Sequence, residues 1–399
     1  MNEFIPIILG TDNNSYSAAS SYFDAYHEQA IVCGSAVLRP FVHSKIAKIY
    51  TESDFSKDPE IFVSLLNKVY KEEAKASEKV IFFVPNEDYL FMIYENLDKL
   101  QFECVLPYPG HQRARSFHNK SQFYELMESI DIRIPRTWVA DPTNKDNLLA
   151  HFPDESALFL KADDYAAFLN SNLEDPHKGY YVENRQEGQA VLDEIYRSNY
   201  TGAIIVQEFI HGQEGTEYSI MGYRSPSGKV TMSQARALLS DLRPQWVGNH
   251  LVLVDSNRED LFLIAEEIMT KLDYRGFYNF DFKIDSRTGE IFVLECNPRL
   301  GRSFIYSNFG GINFIELAIE DLIYHRDLDQ KQVHPFAWLV VSEKLTREKI
   351  NPDFLPILDD EERRKHIGNS LVYEADMNLQ RRISLMRYFS SLDKSTFPD

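Results

Sequence analysis

The chain has 399 residues, with 61 Asp and Glu against 42 Lys and Arg and a formal net charge of −19. At about 150 residues per domain it should hold two or three domains. Its 44% hydrophobic and 13% aromatic content is that of a folded chain, not of an acidic disordered one. Such a negative excess works against general binding to nucleic acid or anionic lipid, because both need phosphates neutralised by Lys and Arg.

Three cysteines, Cys33, Cys104 and Cys296, occur without a CxxC pair. They read as reduced intracellular thiols and exclude zinc held by cysteine. The first apolar stretch is broken by Pro6, ends at Gly10 and has no basic residue before it, so no signal peptide is expected. No apolar run approaches the roughly 20 residues of a membrane span. A soluble, cytoplasmic protein is expected, with no nucleic-acid partner and no membrane insertion.

The chain opens with short apolar runs alternating with helical patterns. Phe4 to Leu9, Ala30 to Cys33 and Val80 to Val84 read as buried strands, and Ser17 to Tyr26, Pro59 to Glu73 and Tyr89 to Leu100 as helices between them. That rhythm predicts a parallel sheet with helices on its faces. Gly10 to Asn14, after the first strand, reads as a ligand loop, yet it is not GxGxxG, which disfavours a dinucleotide dehydrogenase.

Tyr108-Pro109-Gly110 reads as a boundary. Beyond it Phe123, Leu126, Met127 and Ile130 form a helical stripe with Asn119 as N-cap. A strand follows at Ala157 to Lys161, then a polar loop, a strand at Tyr180 to Val182 and a helix from Gln186 to Tyr196. Ala203 to Phe209, Glu217 to Tyr223 and Lys229 to Ala235 read as strands, the last two joined by the turn Ser225 to Gly228. Leu261, Ile264, Ala265, Ile268, Met269 and Leu272 make another helical stripe. From Lys331 on, 11 basic and 11 acidic residues describe an appended, mostly helical tail.

The chemistry concentrates in Tyr278 to Ser303. Tyr278, Phe280, Phe282 and Ile284 alternate with Asn279, Asp281, Lys283 and Asp285, a strand with one core face. Thr288-Gly289 marks a hairpin turn, and Ile291 to Glu295 is the return strand. A hairpin centred near Thr288 sets Asp281 opposite Glu295 and Asn279 opposite Asn297. Opposed carboxylates lie about 5 Å apart at Cβ and destabilise the pair unless they share a proton or hold a cation. With the neutral oxygen of Asn297 they favour Mg²⁺ carried with substrate phosphates. The alternative is an ordinary surface ladder in which these acids pair with Lys283 or Arg299. Arg299 and Arg302 suit a phosphate or a developing acyl phosphate, or salt bridges to neighbouring acids. His111 and His118 are given no role.

Asp281, Glu295 and Asn297, in the frame E-x-N-x-R-x-x-R from Glu295 to Arg302, resemble the metal-binding hairpin of the ATP-grasp superfamily. Upstream features follow in that family's order. Lys120 opens the helix that begins the nucleotide-binding part, and Lys161 ends a strand as does the lysine touching the α-phosphate and adenine. Glu208, Phe209 and Ile210 match the hinge whose backbone reads adenine, and Glu217 the acid for the ribose hydroxyls.

The resemblance implies an α/β fold: a Rossmann-like pre-ATP-grasp domain at residues 1–112, then an ATP-grasp fold of two α+β subdomains. These are a small one at 113–200 and a large one with the metal site at 201–330, before a C-terminal helical extension at 331–399. The stretch after Lys161 departs from the family's Gly/Ser-rich phosphate loop and offers Asn170, Ser171, Asn172 or Lys178 instead.

Within the superfamily the chain is most similar to the ligases that attach D-aspartate to the lysine side chain of a peptidoglycan precursor, in Phe4 to His27, Val247 to Val254 and Asn279 to Ser303. The resemblance implies ATP and Mg²⁺, with Mn²⁺ as alternative, held with Asp281, Glu295 and Asn297. It implies a small carboxylate substrate, an amine acceptor, and Arg299 and Arg302 as catalytic residues. The alternatives are a dipeptide ligase, a carbamoyl-phosphate-synthase-like enzyme or a non-catalytic ATP-binding regulator. The oligomeric state stays open.

Overall fold

A computed structural model describes residues 4–75 and 78–397. The outermost residues of the first and last sequence segments lie outside the described residues.

The N-terminal part is a parallel sheet in the order β3-β2-β1-β4-β5. In chain order it comprises β1 (Phe4–Leu9), α1 (Asn13–Tyr26), β2 (Ala30–Gly34), β3 (Ala47–Thr51), α2 (Pro59–Glu73), β4 (Lys79–Phe83), α3 (Glu87–Glu95) and β5 (Cys104–Val105). β1 and β2 are buried along their whole length, which is why they read as unbroken apolar runs. The half-exposed β3 and the two-residue β5 carry no such run, and sequence reading passes over them.

The expected ligand loop is shorter than Gly10 to Asn14, because Asp12 already caps α1 by accepting from Ser15 N. Gly10 adopts φ +95°, and a Cβ there would meet Ser15 Oγ at 2.7 Å, so this turn requires glycine. α1 buries Ser15, Ser17, Ser20 and Ser21. The last three hydroxyls donate to carbonyls of their own helix, so these buried polar groups are satisfied.

Past Pro109 the chain forms α4 (His111–His118), which sequence reading does not foresee, and α5 (Lys120–Ser129). Asn119 caps α5 as expected, its side chain accepting from Gln122 N. A four-stranded antiparallel sheet follows in the order β6-β9-β7-β8. It comprises β6 (Thr137–Ala140), the short α6 (Leu148–His151), β7 (Leu158–Ala162), α7 (Tyr165–Leu169), β8 (Tyr180–Val182), α8 (Arg185–Arg197) and β9 (Ile204–Glu208). α7 thus stands where a polar loop is expected.

The third sheet has seven strands in the order β14-β13-β10-β11-β12-β15-β16. Its elements are β10 (Glu217–Arg224), β11 (Val230–Ser240), β12 (His250–Asp255), α9 (Glu259–Lys271), β13 (Gly276–Ile284), β14 (Ile291–Asn297), α10 (Tyr306–Gly310) and α11 (Phe314–Leu322). β11 runs five residues past the expected Ala235, because the buried Ala237, Leu238 and Leu239 continue it across a bulge against β12.

The tail is mostly helical, as expected, and in addition contributes two short strands. It supplies β15 (Ala337–Leu339), then α12 (Glu343–Lys349), α13 (Leu355–Leu358), α14 (Glu361–Arg364), β16 (Ile367–Gly368) and α15 (Leu379–Thr396). β15 pairs with β12 and β16 with β15, so the tail completes the large sheet. It also returns to the N-terminal part through a buried polar cluster. Asp376 accepts from Tyr16 Oη at 2.7 Å, Ser44 Oγ at 2.8 Å and Lys45 N at 2.7 Å. Arg381 Nε lies 3.2 Å from the same carboxylate, both side chains being 0% exposed, and its Nη1 donates to Pro40 O at 2.7 Å. Among the described residues no helix is long and apolar enough to cross a membrane.

Candidate active site

The β13–β14 hairpin has the register expected from the alternation of its residues. Asp281 pairs with Glu295 and Asn279 with Asn297, and one irregularity between Asp281 and Phe282 absorbs Leu294. On the other side of β13, β10 sets Glu217 beside Lys283 and Ser219 beside Asp281. Asp281 therefore lies on an inner strand and Glu295 opposite it on the outermost one, while Lys283 and Arg299 pair with Glu217 and Glu87 instead. Asn297 Nδ2 donates to Glu295 Oε1 at 3.2 Å, and Asn297 Oδ1 accepts from Arg299 at 3.3 Å. Gly301 closes on this face, since a Cβ there would lie 2.1 Å from Asn279 Oδ1.

Burial, and then the neighbouring charge of Glu295, push the Asp281 carboxyl well above the ordinary range. Burial also works against Glu295, yet Lys161, Lys178 and Lys120 override it and hold that carboxyl low. The two opposed carboxylates are thus driven apart in proton affinity, in a place where a divalent cation could be held between them. Among the described residues no cluster of three or more His, Cys, Asp or Glu could bind a metal unaided. Two acids and an amide suit a hard cation that brings phosphate oxygens as its other ligands.

Three lysines from separate elements converge on Glu295. Lys161, at the end of β7, donates to Tyr124 Oη at 2.7 Å, and Tyr124 donates in turn to Leu294 O at 2.8 Å. Lys120 donates to Asp163 O at 3.2 Å. Lys178 is tied through its backbone N to Pro244 O at 3.1 Å. Burial pulls the ammonium groups of Lys161 and Lys178 below their usual range. Of the four residues that could cover phosphates, Lys178 is the one whose charge reaches Glu295. Asn172 pairs with Asn199 instead: its Oδ1 accepts from Asn199 N at 2.8 Å, and its own N donates to Asn199 Oδ1 at 2.9 Å.

The residues expected at the hinge and the ribose stand near one another, since Lys283, the partner of Glu217, places its Nζ 5.3 Å from the Phe209 ring centroid. Glu208 directs its carboxylate to Arg136 N at 2.8 Å, and Phe209 N donates to Ala157 O at 2.9 Å. The Phe209 ring packs on Tyr181, with centroids 4.5 Å apart, and Ile210 is buried. Glu217 pairs with Lys283 at 2.9 Å and faces His250 Nδ1 at 3.8 Å. His250, which sequence reading leaves without a role, is held neutral, first by burial and then by the nearby charges of Arg302 and Lys178 despite Glu217. Its one sequence signal is its place in the Val247 to Val254 segment.

The two arginines separate in role. Arg299 Nε lies 2.8 Å from Glu87 of α3, and Nη1 donates to Leu300 O at 2.8 Å. The salt-bridge alternative is therefore realised for Arg299, with a partner more than two hundred positions away that no local pattern indicates. Arg302 keeps a buried Nη1 without a partner, and its guanidinium stands 5.5 Å from the Trp246 ring centroid.

The Glu87–Arg299 pair has a pH signature. Burial works against the Glu87 charge, but Arg299 outweighs it and lowers the carboxyl. Its contribution is thus complete above the unfolded value of about 4.3 and is lost as pH falls through the lower folded value. Glu87→Gln should cost about 3 kcal/mol near pH 7, by leaving Arg299 buried and unpaired. In urea melts the gap between wild type and variant should narrow below about pH 4.

This combination of an opposed acid pair, three convergent lysines and a mixed α/β fold is similar to that of ATP-grasp proteins, and the comparisons with known proteins point the same way. A family profile described as ATP-grasp in the biosynthetic pathway with Ter operon matches residues 202–345. Solved structures show the same fold. N5-carboxyaminoimidazole synthetase from Staphylococcus aureus with ADP aligns at TM-score 0.62 and 13% identity, over 84% of this chain and 82% of that one. L-amino acid ligase from Bacillus licheniformis aligns at TM-score 0.57 and 12% identity, over 80% and 74%. In sequence the chain is 28% identical to the D-aspartate ligase of Enterococcus faecium strain Aus0004 over 398 residues, 97% of this chain and 94% of that protein. It is an ADP-forming carbon–nitrogen ligase that uses ATP and a divalent metal.

Proposed function

We propose that this ligase joins D-aspartate to an amine, the lysine side chain of a peptidoglycan precursor, through an acyl phosphate. The observation that carries the reading is the Asp281–Glu295 pair set opposite each other in the hairpin, with the charges of Lys161, Lys178 and Lys120 acting on Glu295. Similarity to a D-aspartate ligase along nearly the whole of both chains supports the choice of acid.

Asp281, Glu295 and Asn297 would hold Mg²⁺, with Mn²⁺ as alternative, which when bound neutralises β- and γ-phosphate charge. Glu208, Phe209 and Ile210 would take the adenine edge by their backbone, and Glu217 the ribose, exchanging Lys283 for the hydroxyls. Lys120, Lys161 and Lys178 would hold the triphosphate by charge-assisted hydrogen bonds. A carboxylate oxygen attacks the γ-phosphorus and ADP leaves. The neutral amine then attacks the acyl carbon, loses a proton, and inorganic phosphate departs with that oxygen. Arg302 would act on the transferred group through its charge, as a catalytic residue, whereas Arg299, which donates to Asn297 Oδ1, acts by positioning that neighbour.

Phosphate release measured across amino acids, with a lysine-containing stem peptide as acceptor, tests the assignment. D-aspartate should give the highest kcat/KM, well above L-aspartate and D-alanine. Release with another acid and none with D-aspartate would overturn the choice of substrate.

A further inference from the structure

We propose that the cleft between α1, Arg302 and α15 is the subsite for the second, unphosphorylated carboxylate of a dicarboxylic amino acid, with Tyr388 and Asn13 selecting for it. This rests on the ligase reading above. The cleft is lined by residues from both ends of the chain, including Asn13, Asn14, Arg302, Ser370 and Tyr388. Its volume of about 20 Å³ accommodates one water-sized group, the tip of a carboxylate but not a ring.

Buried polar atoms in folded proteins are ordinarily paired. Arg302 Nη1 is buried here without a partner, so a donor is left for an anion. The acids nearest Arg302 are already engaged. Asp12 accepts from Ser15 N at 2.9 Å, and Asp241 accepts from Arg243 Nε at 2.9 Å. Tyr388 Oη lies 3.5 Å from Asn13 Nδ2, and the Arg39 guanidinium is 5.6 Å from the Tyr388 ring centroid. Ser370 Oγ accepts from Trp338 Nε1 at 2.9 Å, which leaves its own proton to donate.

Arg302 also influences Lys178 and His250, so the cleft adjoins the cluster assigned to the triphosphate. A short molecule with a carboxylate at each end spans the two. A monocarboxylic amino acid phosphorylated at the same place would leave Arg302 unpaired, and a site built to pair a polar group discriminates strongly against ligands lacking it. The tail, through α15, then acts in substrate choice.

The test uses the full-length protein with Tyr388→Phe and Asn13→Ala, each checked by thermal melting. Both should raise KM for D-aspartate roughly tenfold, more than they lower kcat, and should narrow the preference for D-aspartate over D-alanine. ATP affinity by titration should not change. An unchanged KM and preference, or a rise matched by weaker ATP binding, would overturn the subsite. If wild type turns over no acid at all, the ligase reading fails by itself. Calorimetric titration of D-aspartate into ATP-loaded protein then decides the subsite: binding weakened by Tyr388→Phe supports it, and binding unaffected by it refutes it.

Discussion

Asp281→Asn is expected to lower ATP-dependent phosphate release by about 10²–10³-fold while leaving the melting temperature unchanged or higher. Burial and the charge of Glu295 raise the Asp281 carboxyl and so favour its neutral form, which an amide of the same shape reproduces. The amide removes an acid only when the metal and triphosphate are present. Glu295→Gln should abolish activity as well, but at a cost in stability. Its charge opposes Lys161, Lys178 and Lys120, and these would be left facing one another. Steady-state rates and thermal melts of the two variants, run together, check both halves. Equal destabilisation by the two would mean the acids serve the fold alone.

The other large effect lies far from the acids. Arg381→Met should destabilise the protein by about 3–5 kcal/mol, because Asp376 would be left buried with its ionic partner gone. Asp376→Asn alone should be milder, because Arg381 keeps Pro40 O, Val42 O and Leu371 O as acceptors. The double change should recover part of the loss, since no buried charge would then stand unpaired. Urea denaturation of the three variants measures this. A loss below about 1 kcal/mol for Arg381→Met would mean the tail is held by its strands and apolar contacts alone.

Much of the acid hairpin could be read in advance, because strand alternation and the Thr288-Gly289 turn are local signals. They specify which side chains share a face, and the observed pairing of Asp281 with Glu295 follows from them. The buried strands β1, β2 and β4 were legible for the same reason, each being a continuous apolar run. What escaped reading is non-local. Glu87 meets Arg299, Asp376 meets Tyr16 and Arg381, and His250 meets Glu217 only once separate sheets are assembled. Lys178 stood among four candidates until the anchoring of its backbone to Pro244 and the turn of Asn172 toward Asn199 set it apart. The helices of the tail were legible, but its strands were not, because three-residue β15 and two-residue β16 carry too few residues for a period to show.

The most direct test follows an oxygen atom. With D-aspartate labelled by ¹⁸O in its carboxylates, ATP, Mg²⁺ and the lysine-bearing acceptor, an acyl phosphate requires one labelled oxygen in the released phosphate for each amide bond formed. Phosphate released without label while the amide forms would contradict it, since no carboxylate oxygen would then have attacked the γ-phosphorus.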